Sequence, residues 1–212
     1  MAITRSNKLA NAYKDEASSG TERVALYGGS FDPVHSAHLR IAQSVIESGV
    51  VDRLIFVPTA HSPLKKNGPI ASDSQRLQML ALATADEPRY SVDSSEIEQG
   101  GISYTIDWVR SFKAAHPNAQ LYWILGADQF ELLEQWRSIR ELAQLLYFLV
   151  IPRPKHTLVA PSISGLNYQI MDAPLLSESS TAIRQACEQG IAITDRVPKS
   201  VEAFISQQSL YK

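Results

Sequence analysis

The chain has 212 residues, 44% of them hydrophobic and 20% charged, with a formal net charge of -2 at pH 7. That length bounds one domain, or one with appendages, large enough to bury a proper core, and the near-neutral balance excludes the basic stripe of a general nucleic-acid binder. One cysteine, Cys187, excludes an intrachain disulfide and a cysteine-rich zinc site, and no apolar run approaches the ~20 residues of a membrane span.

Residues 1–22 are polar and read as a loosely held extension, leaving 23–212 as the domain. Met1 to Gly20 holds no apolar core of signal-peptide type, so a cytoplasmic protein is expected. Strand-like and helix-like stretches then alternate. Arg23–Tyr27 is the first strand, and His38–Ser48 a helix closed by Gly49. Arg53–Val57 is a buried strand halted by Pro58, and Thr59–Ser72 a loop. Asp73 caps a helix to about Ala85 that carries Arg76, Leu77, Met79, Leu80 and Leu82 in its pattern. Tyr90–Val92 is a short strand and Thr105–Ala115 a helix with Ile106, Val109 and Phe112 on one face. Leu121–Leu125, Leu145–Ile151 and Asn167–Met171 are further strands. Ser180–Gln189 and Pro198–Gln207 close the chain as helices.

Fully apolar strands between amphipathic helices predict an α/β fold. It is a single-domain, doubly wound (Rossmann-like) parallel sheet with helices on both faces. Ligands of such sheets bind at the carboxyl ends of the strands, which gathers the segments after Tyr27, Val57, Leu125 and Ile151 on one rim.

Gly28-Gly29-Ser30-Phe31-Asp32-Pro33-Val34-His35-Ser36-Ala37-His38 links the first strand to the first helix. Its glycines admit close approach of a ligand to the main chain. Its two histidines stand where free N–H groups and the helix dipole favour an anion, so the loop suits a polyphosphate. Leu176-Ser177-Glu178-Ser179-Ser180-Thr181-Ala182-Ile183-Arg184 begins a second helix with hydroxyls and free N–H groups, and Arg184 one turn in can clamp phosphate in bidentate fashion. A capped helix with a surface arginine reads the same residues more plainly.

The first segment resembles the GG-[ST]-FDP-[IV]-H-x-G-H signature of the nucleotidyltransferase superfamily, with Ala37 where glycine is usual. The second is similar to its I-S-S-T-x-I-R motif, with Glu178 in place of an apolar residue. Class I aminoacyl-tRNA synthetases share the histidine loop but carry a K-M-S-K-S segment that this chain lacks. Ile102-Ser103-Tyr104-Thr105, Gly126-Ala127-Asp128-Gln129-Phe130 with Trp136, and Val197-Pro198 through Leu210-Tyr211 resemble bacterial nicotinate-nucleotide adenylyltransferases. The resemblance runs from about Arg23 to Lys212. Where that family commonly reads N-P-P-H-K, this chain has His61-Ser62-Pro63-Leu64-Lys65.

The resemblance implies that the phosphate of nicotinate mononucleotide attacks the α-phosphate of ATP in line and releases pyrophosphate. Positioning and charge stabilisation carry such chemistry. His38 would touch the α-phosphate, His35 the β or γ oxygens, and Ser179, Thr181 and Arg184 the leaving pyrophosphate, which makes His35, His38 and Arg184 the catalytic set. Gly28, Gly29, Ser30 and Phe31 would line the ATP site with Gly126, Asp128 and Arg153. Asp128 would accept from the ribose or else cap its helix, and Arg153 would reach phosphate or cover adenine. Ser30, Phe31, Lys65, Tyr104, Thr105, Trp136 and Arg137 would hold the mononucleotide. Trp136 would stack on the pyridine or simply pack beneath its loop. Mg²⁺ would arrive with ATP and need no protein ligand set. No nucleic-acid or membrane partner is expected, and a homo-oligomer is compatible with the sequence. Nicotinamide mononucleotide and phosphopantetheine remain alternative acceptors, and a module that binds nucleotide without turnover remains the non-enzyme alternative.

Overall fold

The computed structural model describes residues 20–61, 68–153, 157–173 and 178–212. Lys65 and the rest of the 62–67 stretch lie outside them. The strands β1 (Arg23–Gly29), β2 (Arg53–Pro58), β3 (Tyr90–Val92), β4 (Gln120–Gly126), β5 (Leu146–Ile151) and β6 (Asn167–Ile170) form one sheet in the order β3-β2-β1-β4-β5-β6. β1 pairs with β4, β4 with β5, and β5 with β6, all in parallel. The order reverses at β1, so the doubly wound α/β sheet expected from the alternation is the observed fold.

Eight helices lie among the described residues: α1 (Ser36–Glu47), α2 (Asp73–Thr84), α3 (Ser95–Gln99), α4 (Thr105–Ala115), α5 (Ala127–Glu131), α6 (Ile139–Leu145), α7 (Ser180–Glu188) and α8 (Lys199–Gln207). None is long and apolar enough to cross a membrane. Three helix starts differ from the expectation, α8 by one residue, with Pro198 as its N-cap instead of its first residue. α1 begins at Ser36, so His38 sits inside the first turn. α2 is capped by Ser72, whose hydroxyl accepts from the Gln75 N–H while the Gln75 side chain accepts from the Ser72 N–H. That reciprocal box uses the hydroxyl one residue earlier than Asp73, which becomes the first helical residue. The short helices α3, α5 and α6 carry no periodic signal long enough to be read from the sequence. α6 also runs directly into β5, so Leu145, expected to open the strand, is instead the last residue of the helix.

The fold divides into two compact units. One comprises Met1–Tyr27, Gln43–Leu54 and Tyr104–Leu175. Its core is built on strands buried along their length, with Leu121 to Leu125 of β4 and Phe148 to Ile151 of β5 all inaccessible. The start of β1 is tied down by Arg23. Its guanidinium bonds the Asp52 carboxylate at 2.6 Å and the Gly49 carbonyl at 2.9 Å.

The second unit comprises Gly28–Ala42, Ile55–Ser103 and Leu176–Lys212. Here α2 packs on α8, burying Met79 and Leu80 on one side and Val201, Phe204 and Ile205 on the other. α2 also buries a charge. Arg76 is wholly inaccessible, and its Nη1 donates to the carbonyls of Ser30 at 2.7 Å and Thr59 at 2.8 Å, while Nη2 meets the Asp73 carboxylate at 2.5 Å. One guanidinium therefore fixes the chain leaving β1 to the chain leaving β2. Replacement by Met keeps the apolar stem and strips both carbonyls of their donor. Arg76→Met should lose about 1–3 kcal/mol of stability in urea denaturation, and a loss of under about 0.5 kcal/mol would show that these carbonyls do not need the arginine.

Candidate active site

The loop after β1 has its shape set by one aromatic ring. Phe31 takes φ +46°, and its ring folds back on Gly29. A Cβ at Gly29 would lie 3.0 Å from the ring Cζ, so any side chain there would press on the Phe31 ring. The same ring meets His38 edge-on at 5.0 Å between centroids and Phe56 at 5.6 Å. Ala37, in the position where the signature has glycine, is 4% exposed, so the site has room for a methyl group and little more.

His35 and His38 stack with centroids 3.7 Å apart. The His35 backbone N–H donates to Nδ1 of His38 at 3.2 Å. In neutral His38 that acceptor role puts the ring proton on Nε2, which makes Nε2 a donor. His35 is 5% exposed, and its Nδ1 is buried with no hydrogen-bond partner. Burial drives its pKa down from 6.5 to about 4, against an opposing pull from the Glu178 carboxylate. Burial therefore keeps the His35 ring neutral at neutral pH, so it adds no formal charge to the loop.

The second motif stands against this loop. Ser179 caps α7, its hydroxyl accepting from the Ala182 N–H at 3.2 Å. Ser180 Oγ donates to the Pro33 carbonyl at 3.0 Å, and Arg184 Nη1 to the Asp32 carbonyl at 2.7 Å. Arg184 Nη2 donates to the Thr181 hydroxyl at 3.3 Å. The plain reading of a capped helix is thus realised at Ser179, while Arg184 is no loose surface arginine. It is bound to the histidine loop itself.

In the first unit the parallel register sets Gly126 opposite Ile151. Two residues beyond each, Asp128 and Arg153 form an ion pair at 2.6 Å. Both remain substantially exposed, so the pair adds little stability and is open to exchange partners. Gly126, at the start of α5, has nothing within 4 Å of where a Cβ would stand. Space beside it is open to a ligand. Tyr104 is the N-cap residue of α4 and makes no side-chain cap, so Thr105 opens the helix. The Arg137 guanidinium lies 4.7 Å over the Tyr104 ring and 3.4 Å from the Asp107 carboxylate. Trp136 packs edge-on against Trp123 at 6.1 Å, and its indole N–H is buried with no partner. Packing beneath the loop, one of the two readings left open by the sequence, is therefore present.

A family model described as cytidylyltransferase-like matches residues 26–186. A protein of Opitutus terrae named "Probable nicotinate-nucleotide adenylyltransferase" is 39% identical over 191 residues, covering 90% of this chain and 98% of that protein. The chain belongs to the nicotinate-nucleotide adenylyltransferases of the cytidylyltransferase-like family. A protein of the same name from a Synechococcus species is 37% identical over 195 residues, covering 89% of this chain and 96% of its own. The solved structure of Plasmodium falciparum nicotinic acid mononucleotide adenylyltransferase complexed with NaAD superposes with a TM-score of 0.74 at 21% identity, over 90% of this chain and 97% of that one, and shows the same fold. The chain is therefore a nucleotidyltransferase, as its two phosphate motifs suggested.

Sequence reasoning gives no role to Asp32, to Arg76 or to Glu178 as a neighbour of His35. An arginine within an apolar helical pattern is the available sign for Arg76. The others depend on contacts across the chain. For His35 the consequence is measurable. Its folded pKa, about 4, is below its unfolded value of 6.5, so the stability it supports is full above pH 6.5 and is lost as pH falls toward 4. Between pH 7 and pH 4 the parent should lose up to about 3 kcal/mol more than His35→Gln in paired urea titrations. Parallel pH curves for the two proteins would show that His35 titrates normally.

Proposed function

We propose that the enzyme transfers the adenylyl group of ATP to the phosphate of nicotinate mononucleotide, forming deamido-NAD and pyrophosphate in NAD biosynthesis. One observation carries the reading. The histidine loop and the start of α7 are bonded to each other, and this supports a joint grip on one polyphosphate by two imidazoles, a helix N-terminus and a guanidinium. The names of the relatives, and the NaAD held by the Plasmodium neighbour, supply the acceptor.

In this mechanism a phosphate oxygen of the mononucleotide attacks the α-phosphorus in line. The P–O bond to the β-phosphate breaks and its electron pair leaves on pyrophosphate. His38 donates from Nε2 to a non-bridging α-oxygen as charge grows there, a role its bonded Nδ1 prepares. Neutral His35 holds the β or γ oxygens, and Arg184 steadies the leaving group with the hydroxyls of Ser179 and Thr181. Neither histidine forms a covalent bond or needs to move a proton.

We assign Asp128, Arg153 and the open side of Gly126 to the nucleoside of ATP, and Tyr104, Thr105, Trp136 and Arg137 to the mononucleotide, with Lys65 a further candidate for its phosphate. The Arg137 cation and the N–H groups opening α4 would favour a nicotinate carboxylate over the neutral amide. The donors around the loop are imidazole, hydroxyl, guanidinium and backbone N–H groups, which suit phosphate oxygens rather than a divalent cation. Mg²⁺ would therefore be held by the phosphates and water, and when bound it neutralises their charge.

A pyrophosphate-release assay with ATP and Mg²⁺ should show turnover with nicotinate mononucleotide well above that with nicotinamide mononucleotide or phosphopantetheine. Equal or better use of either competitor would overturn the assignment of the acceptor. His38→Ala should depress kcat on the order of 10²–10³-fold with ATP binding largely kept, and turnover close to the parent's would remove His38 from the reacting centre.

A further inference from the structure

Asp32 lies inside the histidine loop, is 3% exposed, and has work for both of its carboxylate oxygens. Oδ2 accepts from the Ile70 N–H at 2.7 Å. Oδ1 accepts from the Ala71 N–H at 3.1 Å and from the Tyr211 hydroxyl at 2.7 Å. The Asp32 carbonyl takes Nη1 of Arg184 at 2.7 Å, while Oδ2 stays 3.8 Å from that same nitrogen, beyond a direct hydrogen bond. One buried residue thus joins the approach to α2, the phosphate arginine and the penultimate residue of the chain.

Tyr211 reaches Asp32 by a backbone route that needs support. After α8 ends at Gln207 the chain reverses, with Ser209 at φ +50° and Tyr211 at φ +62°. Leu210 N–H bonds back to the Ile205 carbonyl at 3.0 Å. Two non-glycine residues in the left-handed region within three positions persist only where surrounding contacts hold them. The Tyr211 ring is 8% exposed, and burial followed by its bond to Asp32 raises the phenol pKa, so it remains a donor throughout the neutral range.

We propose that Tyr211 is a positioning residue for the binding of ATP phosphate, acting through Asp32 on Arg184. By donating to Oδ1 it holds the carboxylate turned toward Ile70 and Ala71. The carboxylate is then kept from closing onto the guanidinium, and Arg184 is steered by the carbonyl alone, with N–H groups left to meet phosphate. Without the phenol the carboxylate keeps only the Ile70 and Ala71 N–H groups, and Arg184, whose Nη1 already stands 3.8 Å from Oδ2, is a cation within reach to replace the lost donor. A closed Asp32–Arg184 pair would neutralise and misdirect the cation that grips the polyphosphate. This inference rests on the proposed role of Arg184 at the phosphates.

The test compares Tyr211→Phe, Arg184→Lys and the double variant in the full chain. Tyr211→Phe should lower kcat/KM for ATP about tenfold through a raised KM for ATP, with KM for nicotinate mononucleotide within twofold of the parent. Loss of folded protein alone would lower apparent kcat and leave both KM values in place. The double variant should be no worse than Arg184→Lys, because the phenol has no arginine fork left to position. An unchanged KM for ATP in Tyr211→Phe, or losses that multiply in the double variant, would overturn the proposal. If Tyr211→Phe does not fold, Tyr211→Leu, which also removes the hydroxyl and keeps the Asp32 carboxylate, takes its place in the same cycle, where a raised KM for ATP supports the proposal and an unchanged one overturns it. Should the parent turn over none of the acceptors, the proposed function fails by itself. The Kd for ATP, measured by calorimetry, then decides the inference, with weaker binding by Tyr211→Phe supporting it and equal binding overturning it.

Discussion

The bonds from buried Arg76 to the carbonyls of Ser30 and Thr59 are what the loops leaving β1 and β2 depend on. The first of these loops buries Phe31, Asp32, Val34 and His35, and its main chain needs definition as well. Arg76 supplies that definition from beneath, by fixing main-chain oxygens instead of side chains, and so leaves the outer side of the loop free for a ligand. Phe31 adds an aromatic ring closed over Gly29, and Val34 of the same loop is buried too. Polar anchoring below and a single aromatic clamp within give a loop whose N–H groups can be ready before substrate arrives. Such readiness is what electrostatic stabilisation requires.

The paired histidines show how burial directs chemistry. Stacked at 3.7 Å, two imidazolium rings would repel each other and both would lose solvation. Burial resolves this by keeping His35 neutral, and the His35 N–H sets the proton of His38 on its far nitrogen. Phosphoryl transfer asks for donors at fixed points rather than for a strong base, and this arrangement delivers donors. Glu178, where the family motif has an apolar residue, adds a carboxylate that pulls the His35 pKa upward against burial, so this chain tunes that imidazole in its own way.

Register does comparable work in the first unit. The parallel pairing of β4 with β5 brings Gly126 level with Ile151, and chain geometry then leaves Asp128 and Arg153 close enough to pair. Neither residue needs the other for stability. Their proximity follows from the strand alignment, and both side chains remain substantially exposed.

Much of this is legible in the residues. Local periodicity is enough for β3 and for both ends of α4, and continuous apolar runs are enough for β1, β2, β4 and β5, because each signal lies within a few neighbouring residues. The Gly28–His38 segment suits a polyphosphate by residue type and spacing, whereas Ser179–Arg184 taken alone reads as a capped helix and gains its phosphate reading only beside that loop. Short helices, the Ser72 cap and the α6–β5 junction escape such reading, because two local preferences compete there over one or two residues. What the tertiary structure alone decided is which side chains answer to which. Asp32 and Tyr211 are 179 positions apart, and the carbonyls that Arg76 bonds lie 46 and 17 positions away from it. Such pairings form only when the chain has closed, because no local pattern records a hydrogen bond whose partner lies at the other end of the molecule.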